Sequence, residues 1–138
     1  MLKLEHIGIA VKNLSTSVPL FEKLLKTECY KKEEVASESV VTAFFKTGDA
    51  KVELLESLDP SGVISRYIER KGEGIHHLAF EVEDIEAEIK RLSEEGYTLL
   101  SDQPKPGADE KLVVFLHPKT TGGVLIELCQ AIRSRPSQ

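Results

Sequence analysis

The chain has 138 residues, 41% of them hydrophobic, enough for one domain that buries roughly 68–70% of its unfolded surface without cross-links. With 18 basic and 23 acidic residues the net charge is −5, so no long-range field draws nucleic acid, and no apolar run approaches the roughly 18 residues of a membrane helix. Cys29 and Cys129 match no metal-ligand spacing and make no disulfide framework, and the N-terminus lacks a signal-peptide layout, so the expected place is the cytoplasm.

In chain order, residues 2–11 alternate Ile7, Ile9 and Val11 with His6, Gly8 and Ala10 at the period of a strand. Ser15, Thr16 and Ser17 offer N-caps, Pro19 suits a first turn, and Leu20, Phe21, Leu24 and Leu25 recur at helical spacing. Residues 40–46 and 51–56 predict a hairpin around Thr47-Gly48-Asp49, where glycine takes a positive φ without cost. Asp59-Pro60-Ser61-Gly62 breaks the pattern before a linker helix over 61–70, with Ser61 as cap.

The order then restarts. A strand over 75–82 leads to Asp84 as cap of a helix carrying Ile85, Ile89 and Leu92 and ending at Gly96. A Pro- and Gly-rich loop precedes two strands, 111–116 and 123–128, around the turn 117–122. Each half gains one more expected strand, near 27–33 and 99–102, and the tail after Ile132 is expected to fray.

The repetition is also in the letters. The segment from His6 to Leu14 lies over that from His77 to Ile85, 71 residues on, and Lys51-Val52-Glu53-Leu54 lies over Leu125-Ile126-Glu127-Leu128. The expected organisation is one domain over 1–138 built of two repeats, about 2–58 and 73–131. The duplication places His6 and His77 in equivalent first strands and Glu53 and Glu127 in equivalent last strands. Two imidazoles and two carboxylates are a donor set that suits a borderline divalent cation.

Singly, a histidine at a strand start is usually a hydrogen-bonded structural residue, and a strand glutamate usually faces water. The coincidence of two pairs at duplicated positions tips the balance to metal. Small residues on the same pleat face, Gly8, Ala10 and Ala79, leave room above the sheet, and a buried Glu53 would be costly without a partner. Alternation sends His76 to the face opposite His77; Cys129 is expected as a small buried apolar residue, and Lys31-Lys32-Glu33-Glu34 as a solvated strand end.

Three motifs carry a resemblance: Leu4 to Val11, the run Gly72 to Val82, and Phe115-Leu116-His117-Pro118-Lys119 continuing through Gly122 to Leu128. Over about residues 2–131 the chain resembles the vicinal oxygen chelate, or glyoxalase-like, superfamily, and within it the methylmalonyl-CoA epimerase family. The resemblance implies an α+β fold of two paired βαβββ modules forming an incomplete barrel around a metal cleft. It implies one divalent ion per chain (cobalt, manganese, zinc or nickel) on His6, His77 and Glu127, with Glu53 as the fourth ligand.

The activity implied is interconversion of (2R)- and (2S)-methylmalonyl-CoA by C2 proton abstraction through a metal-stabilised enolate. It further implies an acyl-CoA substrate met by His117 and Lys119, and a homodimer. Where some relatives carry an acid/base glutamate this chain has Thr42, so the catalytic pair expected is Glu127 and Glu53; Asp109-Glu110 replaces a His-Gly common in relatives. Competing readings are glyoxalase I, an extradiol-type dioxygenase on a two-His, one-Glu triad, and a non-enzymatic small-molecule-binding module.

Overall fold

The computed structural model describes residues 2–132, so the expected frayed tail lies outside the described residues. Strand β1 (Lys3–Ala10) leads through helix α1 (Leu14–Leu25) to β2 (Lys31–Val35), β3 (Val40–Thr47) and β4 (Ala50–Ser57). Helix α2 (Val63–Lys71) follows, and then β5 (Gly74–Glu81), α3 (Ile85–Glu94), β6 (Lys105–Gly107), β7 (Lys111–Leu116) and β8 (Ile126–Ala131). The eight strands form one sheet in the order β2-β3-β4-β1-β5-β8-β7-β6, curled into a nearly closed barrel.

The order is a palindrome of two βαβββ halves. β1 runs parallel to β4, β5 runs parallel to β8, and the halves meet where β1 and β5 pair antiparallel. Alternation sorts each strand into an outer apolar face and an inner one. Outside, Val11, Leu14 and Val18 pack with Ala43, Phe45 and Leu54 in the first half; Val82, Ile85, Ile89 and Leu92 pack with Val114, Leu116 and Leu128 in the second. Burying each such side chain contributes about 1.5–3 kcal/mol. Inside lie His6, Thr42, Glu53, His77 and Glu127, all buried.

The repeat extends to the helix starts. The Leu14 N–H donates to Glu56 of β4 (2.7 Å), and the Ile85 N–H donates to Gln130 of β8 (2.7 Å), so each helix is tied to the last strand of its own half. Both bonds satisfy an amide that a helix terminus leaves open. Asp84 also caps α3 as its sequence position predicts, accepting from the Ala87 N–H at 3.1 Å.

Several local expectations are corrected. Helix α1 starts at Leu14 behind Asn13, not at Ser15 to Ser17; Pro19 sits inside it, and Leu20 and Leu24 are exposed while Leu14 and Val18 are buried. Of the four apolar positions that the helical spacing picks out, Phe21 and Leu25 pack against the same core as Leu14 and Val18. Gly62, not Ser61, occupies the N-cap of α2. The edge strands fall at Lys31–Val35 and Lys105–Gly107, and β8 begins at Ile126 because Gly122 and Gly123 take positive φ and prolong the turn. No described helix is long and apolar enough to cross a membrane.

Two irregularities on the central seam matter most. The β1–β5 register skips Glu5 between Leu4 and His6 on one strand and His76 between Ile75 and His77 on the other. A bulge lets two consecutive residues face the same side. Glu5 and His76 therefore turn inward beside His6 and His77, and the expectation that His76 points away is overturned.

Candidate functional site

The inner face lines a cleft whose walls include His6, Glu53, His77, Glu127, Thr42 and Phe115. His6 and His77 approach from the paired strands β1 and β5 with Nε2 atoms 3.0 Å apart. Glu127 reaches between them from β8: its Oε1 is 3.0 Å from His77 Nε2 and 3.6 Å from His6 Nε2. Gly8 makes the approach possible, since it lies directly across from His77 and any Cβ there would overlap the His77 ring. Ala79, opposite His6, is the equivalent small residue of the second half.

Glu53 stands on the other side of His6, with Oε2 3.2 Å from Nδ1. Glu5 is nearer still, its Oε1 2.5 Å from the same Nδ1. His6 thus belongs to two groups of donor atoms within 4.8 Å of one another: His6, His77 and Glu127, and Glu5, His6 and Glu53. The four residues singled out by the repeat line one cleft, but Glu53 is not among the first three.

The electrostatics divide the carboxylates. Burial would raise Glu127, but hydrogen bonds from His6 and His77 outweigh it and hold the group down at about 2. Glu53 is pushed up to about 7, chiefly by burial and further by the nearby Glu127 and Glu5 charges, against the pull of His6. Glu5, despite its burial, is lowered to about 2 by His6 and Lys51. His6 itself is raised to about 10: burial disfavours its charge, but the surrounding carboxylates favour it more. His76 is pushed down to about 4 by burial and by the adjacent His77, whose Nδ1 is 3.0 Å from its own.

The three atoms His6 Nε2, His77 Nε2 and Glu127 Oε1 are 3.0 to 3.6 Å apart. Ligands bonded at about 2.1 Å to one ion lie roughly 3.0–3.4 Å from each other, so these residues fit a divalent cation in donor type and in spacing. The charge balance agrees. Without a cation, the buried carboxylates Glu5, Glu53 and Glu127 and the two imidazoles must share protons among themselves.

Charged residues close the barrel below this cluster. Lys51 bonds Glu5 Oε2 at 2.6 Å and Asp109, which also accepts from Lys31 at 2.7 Å. The Asp109 N–H donates to Glu33 of β2 at 2.9 Å. Burial alone would lower the Lys51 ammonium, yet Asp109 and Glu5 hold it above its ordinary value. The two free sheet edges, β2 and β6, are therefore bridged by ions rather than by strand pairing. Lys32 and Glu34 are exposed, as a solvated strand end requires, while the half-buried Lys31 and Glu33 pair with Asp109, whose φ is 60°.

Of the expected substrate contacts, neither His117 nor Lys119 lines the cleft. His117 follows β7, its Nδ1 accepting the Lys119 N–H at 3.1 Å, and Lys119 is exposed. Cys129 lies in the cleft wall with Ala79 and Val113, its thiol pushed up by burial and by Glu127. Sequence reasoning missed Glu5, Lys51 and His76 as parts of the site. The signal available was that each acidic or imidazole neighbour directly precedes a repeated histidine.

Residues 5–115 match the family described as the Glyoxalase/Bleomycin resistance protein/Dioxygenase superfamily. An ethylmalonyl-CoA/methylmalonyl-CoA epimerase of Cereibacter sphaeroides is 38% identical over 130 residues, 93% of this chain and 97% of its own. The chain belongs to the methylmalonyl-CoA epimerase family of that superfamily. Solved members of the epimerase family superpose closely. The Mycobacterium tuberculosis enzyme gives a TM-score of 0.90 at 31% identity, covering 94% of this chain and 88% of that one. A methylmalonyl-CoA epimerase in complex with methylmalonyl-CoA and NH4+ gives 0.89 at 29% identity, covering 95% of both. The epimerase family consists of isomerases, and the cleft on the inner face is where this chain's buried acid/base groups converge.

Proposed function

We propose that this chain is a single-domain, metal-dependent epimerase that interconverts (2R)- and (2S)-methylmalonyl-CoA. The observation that carries the reading is the convergence of two imidazole nitrogens and one carboxylate oxygen, all buried, at the spacing of ligands around one ion. His6, His77 and Glu127 would hold a divalent cation, and Glu53, which lies against His6 Nδ1 rather than Nε2, would join them as fourth ligand by turning into the cleft. When bound, such an ion supplies Lewis-acid stabilisation to negative charge on a substrate oxygen.

The protein groups then divide the proton work. The C2 hydrogen of a methylmalonyl thioester lies between two carbonyl carbons, so its removal leaves charge on oxygen rather than carbon. Inversion requires a base on one face and an acid on the other. Glu127 takes the proton from one face and Glu53 returns one to the opposite face; the reverse direction exchanges their roles. Both carboxylates would therefore serve as cation ligands and as the acid and base of the reaction. Thr42, buried in the same wall, cannot serve as a base, which leaves Glu53 to that face.

The acyl group sits in the cleft, against Leu55, Ile64 and Phe115. His117 and Lys119, at the end of β7, are assigned to the coenzyme A portion outside it. Two free thiols suit a reducing cytoplasm, and the exposed Leu20 and Leu24 of α1 are apolar surface that a homodimer would cover.

Proton NMR of each epimer in D2O with metal-loaded protein tests the reading. Loss of the C2 proton with appearance of the other epimer, abolished by chelation, is the expected result. No exchange with any of cobalt, manganese, zinc or nickel overturns it and brings the glutathione hemithioacetal isomerisation forward.

A further inference from the structure

We infer that Glu5 is a positioning residue of the site: the bulge on β1 turns it inward so that its carboxylate fixes the His6 ring with Nε2 aimed at His77 and Glu127. The inference rests on the reading of His6 as a ligand. In a regular strand Glu5 would face outward with Ile7 and Ile9, because consecutive side chains alternate. The skipped register places it beside His6 instead, and only 6% of its surface is exposed.

A carboxylate can only accept, so the 2.5 Å contact requires that His6 Nδ1 carry the proton and donate to Glu5 Oε1. In the neutral ring that binds a cation, Nε2 is then the nitrogen with a lone pair to offer. Glu5 is itself fixed from behind: Oε2 bonds Lys51 Nζ at 2.6 Å, with Lys111 Nζ at 3.6 Å. Glu53 also comes within 3.2 Å of Nδ1, but among the described residues no lysine forms an ion pair with it. The two carboxylates are therefore not equivalent. One is clamped by ammonium groups and can only orient the ring, and the other is free to turn to the cleft.

A carboxylate behind a ligating imidazole sets its tautomer and increases its basicity, and losing such a partner typically costs about 10- to 100-fold in metal affinity. The test is a zinc titration of the metal-stripped full chain against a competing chelator, for wild type and Glu5→Gln. Nitrogen-resolved histidine spectra of the zinc-loaded wild type accompany it. The expected results are a zinc-bound His6 Nε2 with a hydrogen-bonded Nδ1 proton, and a 10- to 100-fold weaker Kd in Glu5→Gln. An unchanged Kd, with only the melting temperature lowered, makes Glu5 a structural residue and overturns the inference. So does zinc held through His6 Nδ1 in the wild type, a result that stands even if Glu5→Gln does not fold. Zinc bound without His6, or not bound at all, removes the ligand reading first and is told apart by the wild-type spectra alone.

Discussion

The two halves of the barrel use one backbone design and different chemistry. Each first strand carries a bulge just before its histidine, and each last strand carries a buried glutamate. In the first half the bulge delivers Glu5, so that His6 is flanked by two carboxylates; in the second it delivers His76, and Glu127 alone reaches both ring nitrogens of the central pair. Duplication thus conserves positions while leaving the protonation of each position free to diverge. The first half keeps a proton on its glutamate, Glu53, near neutrality, and the second keeps its glutamate, Glu127, ionised.

The comparison breaks most completely at the histidines. His77→Ala should remove bound metal and lower kcat/KM by about a thousandfold or more, read by metal analysis and epimer interconversion; metal retained at one per chain with full activity would sink the assignment. Next comes the floor under each ring. Gly8→Ala forces His77 off the strand, with metal affinity expected to fall about 10- to 100-fold, whereas Ala79→Gly beneath His6 should change it less than threefold or so. Equal losses for the two would show that the rings are not held by these cross-strand contacts.

The carboxylates give a pH-dependent contrast in the metal-stripped protein. Glu53 has a raised affinity for protons in the fold, so its ionisation penalises folding increasingly as pH rises from about 4.5 to about 7. Glu53→Gln should therefore stabilise the stripped protein at pH 9 by about 1–3 kcal/mol, and by less than about 1 kcal/mol at pH 5. Glu5 runs the other way: its lowered value contributes stability that is complete above about 4.5 and is lost as pH falls toward 2. Denaturant melts at pH 9 and pH 5 read Glu53, and melts of wild type and Glu5→Gln between pH 5 and pH 3 read Glu5. In the loaded enzyme Glu53→Gln should also slow exchange from one epimer more than from the other.

The smallest difference lies at the helix starts. Asp84→Ala removes a side-chain cap from α3 and should cost about 1 kcal/mol, while Asn13→Ala, at a cap position that makes no such bond, should cost under about 0.5 kcal/mol by thermal melt.

Much of this architecture was legible because the duplication doubles every signal. His6 over His77 and Glu53 over Glu127 need no structure to be paired, and strand alternation sends each of them to the inner face. What the letters did not disclose is where alternation fails. Glu5 and His76 lie inside because one residue is inserted into the ladder at each point, an event with no marker in residue type here, since neither position is glycine. The same limit applies to Lys51 and Asp109, whose pairing joins segments 58 residues apart across the gap between the sheet edges. On α1 two apolar stripes competed, and only the seat offered by Ala43, Phe45 and Leu54 selects Leu14 and Val18 over Leu20 and Leu24.

The seam between β1 and β5 pairs His6 with Ala79 and Gly8 with His77, and these two pairs exchange under a half-turn about the seam. Two copies of a single half, docked the same way, would repeat one such pair twice and enclose two imidazoles and two carboxylates. Half a gene suffices to encode such a pocket. The covalent link through α2 adds control over stoichiometry, because it lets one copy keep a carboxylate behind its histidine while the other exchanges it for an imidazole. A chain severed at residues 58–62 should accordingly regain its pocket by fragment complementation.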